Sequence, residues 1–167
     1  MAQTFNGTIS LGLALRLNGG VDIGSAYQSV DSTYQNIFTN GTGANQVNQM
    51  WTDTRTIAAS TTEDLDLYGS LTNTFGTTLN FTSSKAIIIA ALAANTNDLL
   101  VGGDAASVPI FGAVGDYIIV KPGGLFMITN PGATGFVVTD TTGDILQIAN
   151  SSSGTSVTYD IIILGEV

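Results

Sequence analysis

The chain has 167 residues, a net charge of −9 and only four cations, Arg16, Arg55, Lys85 and Lys121, scattered along its length. Nucleic-acid binding by phosphate neutralisation needs clustered Lys and Arg, and so does attraction to an anionic membrane, so both are excluded. There is no Cys and no His, which removes disulfides, thiolate chemistry, the commonest general base and the commonest transition-metal ligand.

Charged residues make up 10% of the chain, against about 25% in a typical domain, so Thr, Ser, Asn, Gln and Gly must supply the polar surface. The length suits one domain with an added arm. The start, Met1-Ala2-Gln3-Thr4-Phe5-Asn6, lacks the basic opening of a signal peptide, and no apolar run approaches the ~20 residues of a membrane-spanning helix.

In chain order, Ile9, Leu11, Leu13, Leu15 and Leu17 alternate with small or polar residues, which predicts a strand with one apolar face. Asn18-Gly19-Gly20 is read as its end. A weaker strand follows over residues 26–38, and the Gly- and Asn-rich stretch 40–45 closes a first unit, an arm or small β subdomain over residues 1–45. The body, residues 46–167, opens with a strand over 47–57 that carries Trp51. Short strands follow over 63–68, 71–75 and 77–81. The run Ala86-Ile87-Ile88-Ile89-Ala90-Ala91-Leu92 favours a buried strand over a helix, because β-branched isoleucines dominate a short segment. Turns are expected at 95–98, at Lys121-Pro122-Gly123-Gly124 and at Asn130-Pro131-Gly132-Ala133, with strands between them.

Residues 143–164 are the most β-committed stretch. Two β-rich runs flank Ser151-Ser152-Ser153-Gly154, the sequence form of a hairpin. The second run ends in Ile161-Ile162-Ile163-Leu164 and is expected to start at a rim and finish buried, at the centre of the fold. Frequent short strands and turns predict an all-β protein, an antiparallel β-sandwich of jelly-roll-like type with an N-terminal β arm.

Several residue sets bear on chemistry. Glu63, Asp64 and Asp66 suggest a paired-carboxylate hydrolase or a Ca²⁺ site, but they read more simply as a solvated strand face beside a turn. Asp98, Asp104, Asp116, Asp140 and Asp144 sit beside turns, as Asp does when it bonds its own backbone. Gly102-Gly103 and Gly123-Gly124 lack the spacing of a phosphate loop and precede no helix. A Ser83 or Ser84 dyad with Lys85 is discounted, since neighbours on a strand face opposite ways. Trp51, Tyr68 and Phe81 form a sugar-stacking platform only if they share an exposed face. No catalytic, cofactor-binding or metal-binding residue is assigned, and no cofactor or enzymatic activity is expected. The leucine face of the arm must be covered, either by the same chain or by a neighbouring subunit. Ile9, Leu11, Leu13, Leu15 and Leu17 are therefore the candidate subunit-interface residues.

The segments Trp51-Thr52-Asp53-Thr54-Arg55-Thr56-Ile57-Ala58-Ala59-Ser60, Glu63-Asp64-Leu65-Asp66-Leu67, Lys85-Ala86 and Asn95-Thr96-Asn97-Asp98 resemble small virion proteins of tailed bacteriophages. So do Lys121-Pro122-Gly123-Gly124, Pro131-Gly132-Ala133-Thr134-Gly135 and the ending from Gly143-Asp144 to Gly165. The resemblance covers about residues 46–167 and leaves the arm out. It implies a head decoration or cement protein on the capsid surface of the virion. Its partners would be the major capsid protein and its own copies, as a homotrimer, with no nucleic acid and no membrane. The rival reading is a carbohydrate-binding or attachment module of a tail spike or fibre, and a third is a carboxylate-only glycosidase.

Overall fold

The computed structural model describes residues 3–167, and among them there is no helix. Strands β1 (Asn6–Gly20) and β2 (Ser25–Asn40) pair antiparallel from Asn6↔Thr39 to Gly20↔Ser25, a single long ribbon. The short strand β3 (Gln46–Val47) joins β2 in parallel at the ribbon's root. Asn18-Gly19-Gly20 does not end the first strand as expected. Pairing runs through it, and the chain turns only over residues 21–24, where Gly24 takes φ +93°. Two glycines in a strand weaken it but do not forbid it, and the register set by the leucines below carries the pairing on.

The body is the expected antiparallel β-sandwich. One sheet runs in the order β11 (Leu125–Thr129), β8 (Ser83–Ala91), β14 (Val157–Glu166), β4 (Gln49–Ile57), with β12 (Phe136–Val137) also on β8. The other runs β10 (Tyr117–Val120), β9 (Leu99–Gly102), β13 (Ile145–Asn150), β5 (Thr62–Asp66). Strands β6 (Tyr68–Thr72) and β7 (Thr78–Asn80) form a separate two-stranded ribbon whose Leu71 and Leu79 join the main core.

The isoleucine runs lie where the sequence placed them, in the two inner strands of the first sheet. Ile87 stands opposite Ile163, and Ile89 opposite Ile161, all buried. Their inward faces meet Leu99, Val101, Leu146 and Ile148 of the second sheet in the main core. Strand β14, expected at the centre, pairs with β8 on one side and β4 on the other.

The closing hairpin is not formed. Strand β13 pairs with β5 and β9, while β14 pairs with β4 and β8, so residues 151–156 cross from one sheet to the other. Each strand has a largely apolar inner face, Leu146 and Ile148 on β13 and Val157, Ile161 and Ile163 on β14, and facing each other across the core buries both. Lying side by side in one sheet would leave each inner face still needing cover. The crossing is stitched by the buried side chain of Asn150. Its Nδ2 donates to the carbonyls of Ala58 (3.1 Å) and Thr155 (2.8 Å), and its Oδ1 accepts from Asn97 Nδ2 (2.9 Å).

Candidate interaction surface

The odd-numbered residues of β1 form one face of the arm together with their partners on β2. The register places Ile9 beside Asn36, Leu11 beside Tyr34, Leu13 beside Ser32, Leu15 beside Val30 and Leu17 beside Gln28. Directly opposed residues point the same way, so the aliphatic row of β1 shares one face with Tyr34 and Val30 and with the neutral polar Asn36, Ser32 and Gln28. At the root the face is satisfied within the chain. Phe5, Ile9 and the fully buried Phe38 pack with Val47, Ala86, Leu164 and Ile162 on the outer side of the first sheet. Asn36 Nδ2 donates to Thr129 Oγ1 at 3.0 Å, tying the ribbon to β11.

Beyond that point the cover ends. Leu13 is half-buried, Leu11 is exposed, and Leu15 and Leu17 are 56% and 70% exposed, with Val30 and Tyr34 open beside them. On the opposite face Arg16 lies over the Tyr27 ring at 4.3 Å, which stiffens the tip. Of the five nominated interface residues, then, Ile9 packs against its own body, Leu13 is half-buried, and Leu11, Leu15 and Leu17 are exposed.

Beside the arm root the outer sheet face stays partly uncovered. Phe5, Met50, Ile88, Ile162 and Leu164 floor a groove of about 500 Å³, and the turn bearing Asn73 and Phe75 walls it. Ile88 and Ile162 stand opposite each other in the sheet, and Met50 and Phe75 are exposed at the margin. Among the described residues no lining side chain is charged; Gln3, Asn6, Asn48, Gln49 and Asn73 supply amides, with threonines beside them.

The carboxylates divide into separate structural roles. Glu63 Oε1 accepts from Arg55 Nε at 2.6 Å and also from Arg55 Nη2, while Arg55 Nη1 reaches Asp53 at 2.8 Å. Glu63 Oε2 accepts from Tyr159 Oη at 3.0 Å. Because β4 and β5 are edge strands of different sheets, this set latches the two sheets along one open side of the sandwich. Inward-pointing charges on edge strands also disfavour pairing with stray strands. The bond to Glu63 holds the Arg55 proton above its ordinary range. Burial, reinforced by the Glu63 charge, does the same for the Tyr159 phenol.

Asp64 accepts from Gln147 Nε2 at 2.8 Å, and Asp66 accepts from the Tyr68 amide at 2.7 Å. Asp104, Asp116 and Asp144 accept backbone N–H groups two or three residues away, as turn residues do, and Asp98 pairs with Lys121 at 2.7 Å. Among the described residues no three Asp or Glu side chains gather in a way that holds a metal ion.

The sugar-stacking platform is not assembled. Trp51 and Phe81 are buried in the main core, and Tyr68 packs half-buried against it. Ser83 and Lys85 do share a side of β8, but they serve a buried ion pair. Lys85 is fully buried and Nζ lies 2.9 Å from Glu166 Oε1, 2.7 Å from the Gly132 carbonyl oxygen and 2.6 Å from that of Ala133. Ser83 Oγ donates to Glu166 Oε2 at 3.2 Å.

Sequence reasoning missed this pair and the Arg55–Glu63–Tyr159 latch. One signal for the first was available, a lysine opening an otherwise apolar run that had to be buried. Comparison of the chain with protein-family models, with curated proteins and with solved structures finds no match.

Proposed function

We propose that this is a structural virion protein of a tailed bacteriophage, which decorates or cements the capsid through contacts with the major capsid protein and with its own copies, as a homotrimer. The observation that carries the reading is the arm. A firmly rooted two-stranded ribbon holds Leu11, Leu15, Leu17, Val30 and Tyr34 in the open on one face. A two-stranded ribbon is marginal in water by itself, and an apolar face of this length marks a contact surface. The sequence resemblance of the body supports a place on the capsid, and the exposed face of the arm supports adhesion as its mode of action.

The test compares the native mass of the full chain with that of a chain lacking residues 13–32, each alone and mixed with undecorated capsids. The deletion joins Gly12 to Thr33, which are paired across the ribbon. The result is a two-residue Gly-x turn, suited to type II′, that leaves the packed root intact. The full chain is expected to form a trimer and to bind shells, and the shortened chain to remain folded and monomeric with weakened binding. A full-length monomer indifferent to shells would overturn the reading.

A further inference from the structure

Resting on that reading, we propose that the leucine face of the arm of one copy seats in the groove beside the arm root of a second copy, over Met50, Ile88, Ile162 and Leu164. The two surfaces are chemically matched. The arm face is aliphatic with neutral polar companions, Ser32 and Gln28. The groove floor is aliphatic, with Gln49 and Asn73 at its side and no charged side chain among the described lining residues. A groove of this kind has nothing to hold a phosphate, a metal ion or an acidic ligand. It has a sulfur and several methyl groups to meet leucines, and amides to meet the uncommitted polar groups of a ribbon edge.

The contact also extends an existing one. The face that continues into Leu13, Leu15 and Leu17 already packs, through Phe5 and Ile9, on Ala86, Leu164 and Ile162 of its own sheet. The groove is the uncovered remainder of that same sheet surface, with Leu164 and Ile162 lining both. The sheet already receives this ribbon once, and the second copy's arm repeats the chemistry alongside.

Size decides the geometry of exchange. At about 3.3 Å per residue and about 5 Å between strands, the overhang from Gly12 to Gly20 is about 30 Å long and 10 Å wide. Seating one such face buries about 600 Å² from the two partners, below the roughly 1,200 Å² of a stable specific interface. In a closed ring every copy both donates and receives an arm, so each is held by two such contacts, about 1,200 Å² in all, and cannot leave without breaking both. Each copy carries a charge of −9, so screening the repulsion with salt strengthens association that is held by apolar contact.

The chain lacks cysteine, so site-directed thiols report position without background. One preparation carries Leu15→Cys and a second Met50→Cys; they are mixed, allowed to exchange, and treated with a short bismaleimide. The expected product is a covalent dimer of the two different chains. It should be several-fold more abundant than the product with an exposed control, Ser153→Cys, and should rise between low and 0.5 M salt. Two results would overturn the proposal while leaving arm-driven assembly standing: oligomers that form normally without Leu15–Met50 products, or Leu15→Cys chains that link mainly to each other. Monomers with an intact arm at every salt concentration would overturn both it and the reading beneath it.

Discussion

Replacing Lys85 with Met removes a cation that lies at 0% exposure, donates to the carbonyls of Gly132 and Ala133 and lies 2.9 Å from Glu166 Oε1. The methionine fills most of the space, so the cost is not chiefly a cavity. It lies in what stays behind: a Glu166 carboxylate whose side chain is only 9% exposed, together with two carbonyl oxygens of the 132–133 turn that lose their donor. Breaking one side of a buried pair costs about 3–5 kcal/mol. With a urea m-value of about 2 kcal/mol per M, K85M should lower the unfolding midpoint by about 2 M. The measurement is urea unfolding followed by tryptophan fluorescence, because Trp51 is the only tryptophan and lies in the core. It should be done on the chain lacking residues 13–32, so that association adds nothing to the apparent stability. The double variant K85M/E166L removes both charges and should recover more than half of the loss, since replacing a whole buried pair by apolar groups is often close to neutral. A K85M loss below about 1 kcal/mol, or a double variant no better than the single, would show that the pair is solvated and that this account is wrong.

Two further outcomes follow from the polar contacts of the sandwich. The Tyr159 phenol is held above its ordinary value of 10.0 by burial and by Glu63, so the folded chain keeps that proton while the unfolded chain releases it. Its contribution is fully present below about pH 10 and falls above it, by up to about 1.4 kcal/mol per pH unit. Thermal melts from pH 8 to 11.5 should show the decline, and Tyr159→Phe should flatten it; an unchanged slope in that variant would assign the alkaline sensitivity elsewhere. Asn150→Ala strips donors from the Ala58 and Thr155 carbonyls at the sheet crossing. It should cost about 2–3 kcal/mol in the same urea assay, and hydrogen exchange should rise first in residues 151–156.

The elements that could be read from the chain were those whose causes are local. Alternation of leucines placed β1, and it named the arm's apolar face correctly because side chains on a strand must alternate. The runs at 86–89 and 161–164 announced inner strands of a sheet, with Ile87, Ile89, Ile161 and Ile163 buried in the core and Ile88 and Ile162 half-buried on the outer face. Pro122-Gly123 announced its turn, which is closed by the Gly124 amide donating to the Lys121 carbonyl at 2.7 Å, with φ +74° at Gly123. The turn roles of Asp104, Asp116 and Asp144 followed in the same way, from bonds spanning two or three residues. What failed was long-range. Nothing between Asn150 and Val157 says whether two β-committed runs pair with each other or face each other across a core. Trp51 and Phe81 carry no mark of being inside.

By itself, then, the sequence determined that this is a cation-poor, histidine-free β protein with an alternating apolar arm, and which face of each long strand seeks cover. Only the tertiary structure decided where that cover comes from: β13 set opposite β14 rather than beside it, Lys85 brought to Glu166 from 81 positions away, and the arm's apolar face satisfied at its root but left open toward its tip. The reason is that a strand's periodicity is a property of its own backbone. Its neighbours are chosen by the total apolar area that can be buried at once, and that quantity exists only when the whole chain has closed on itself.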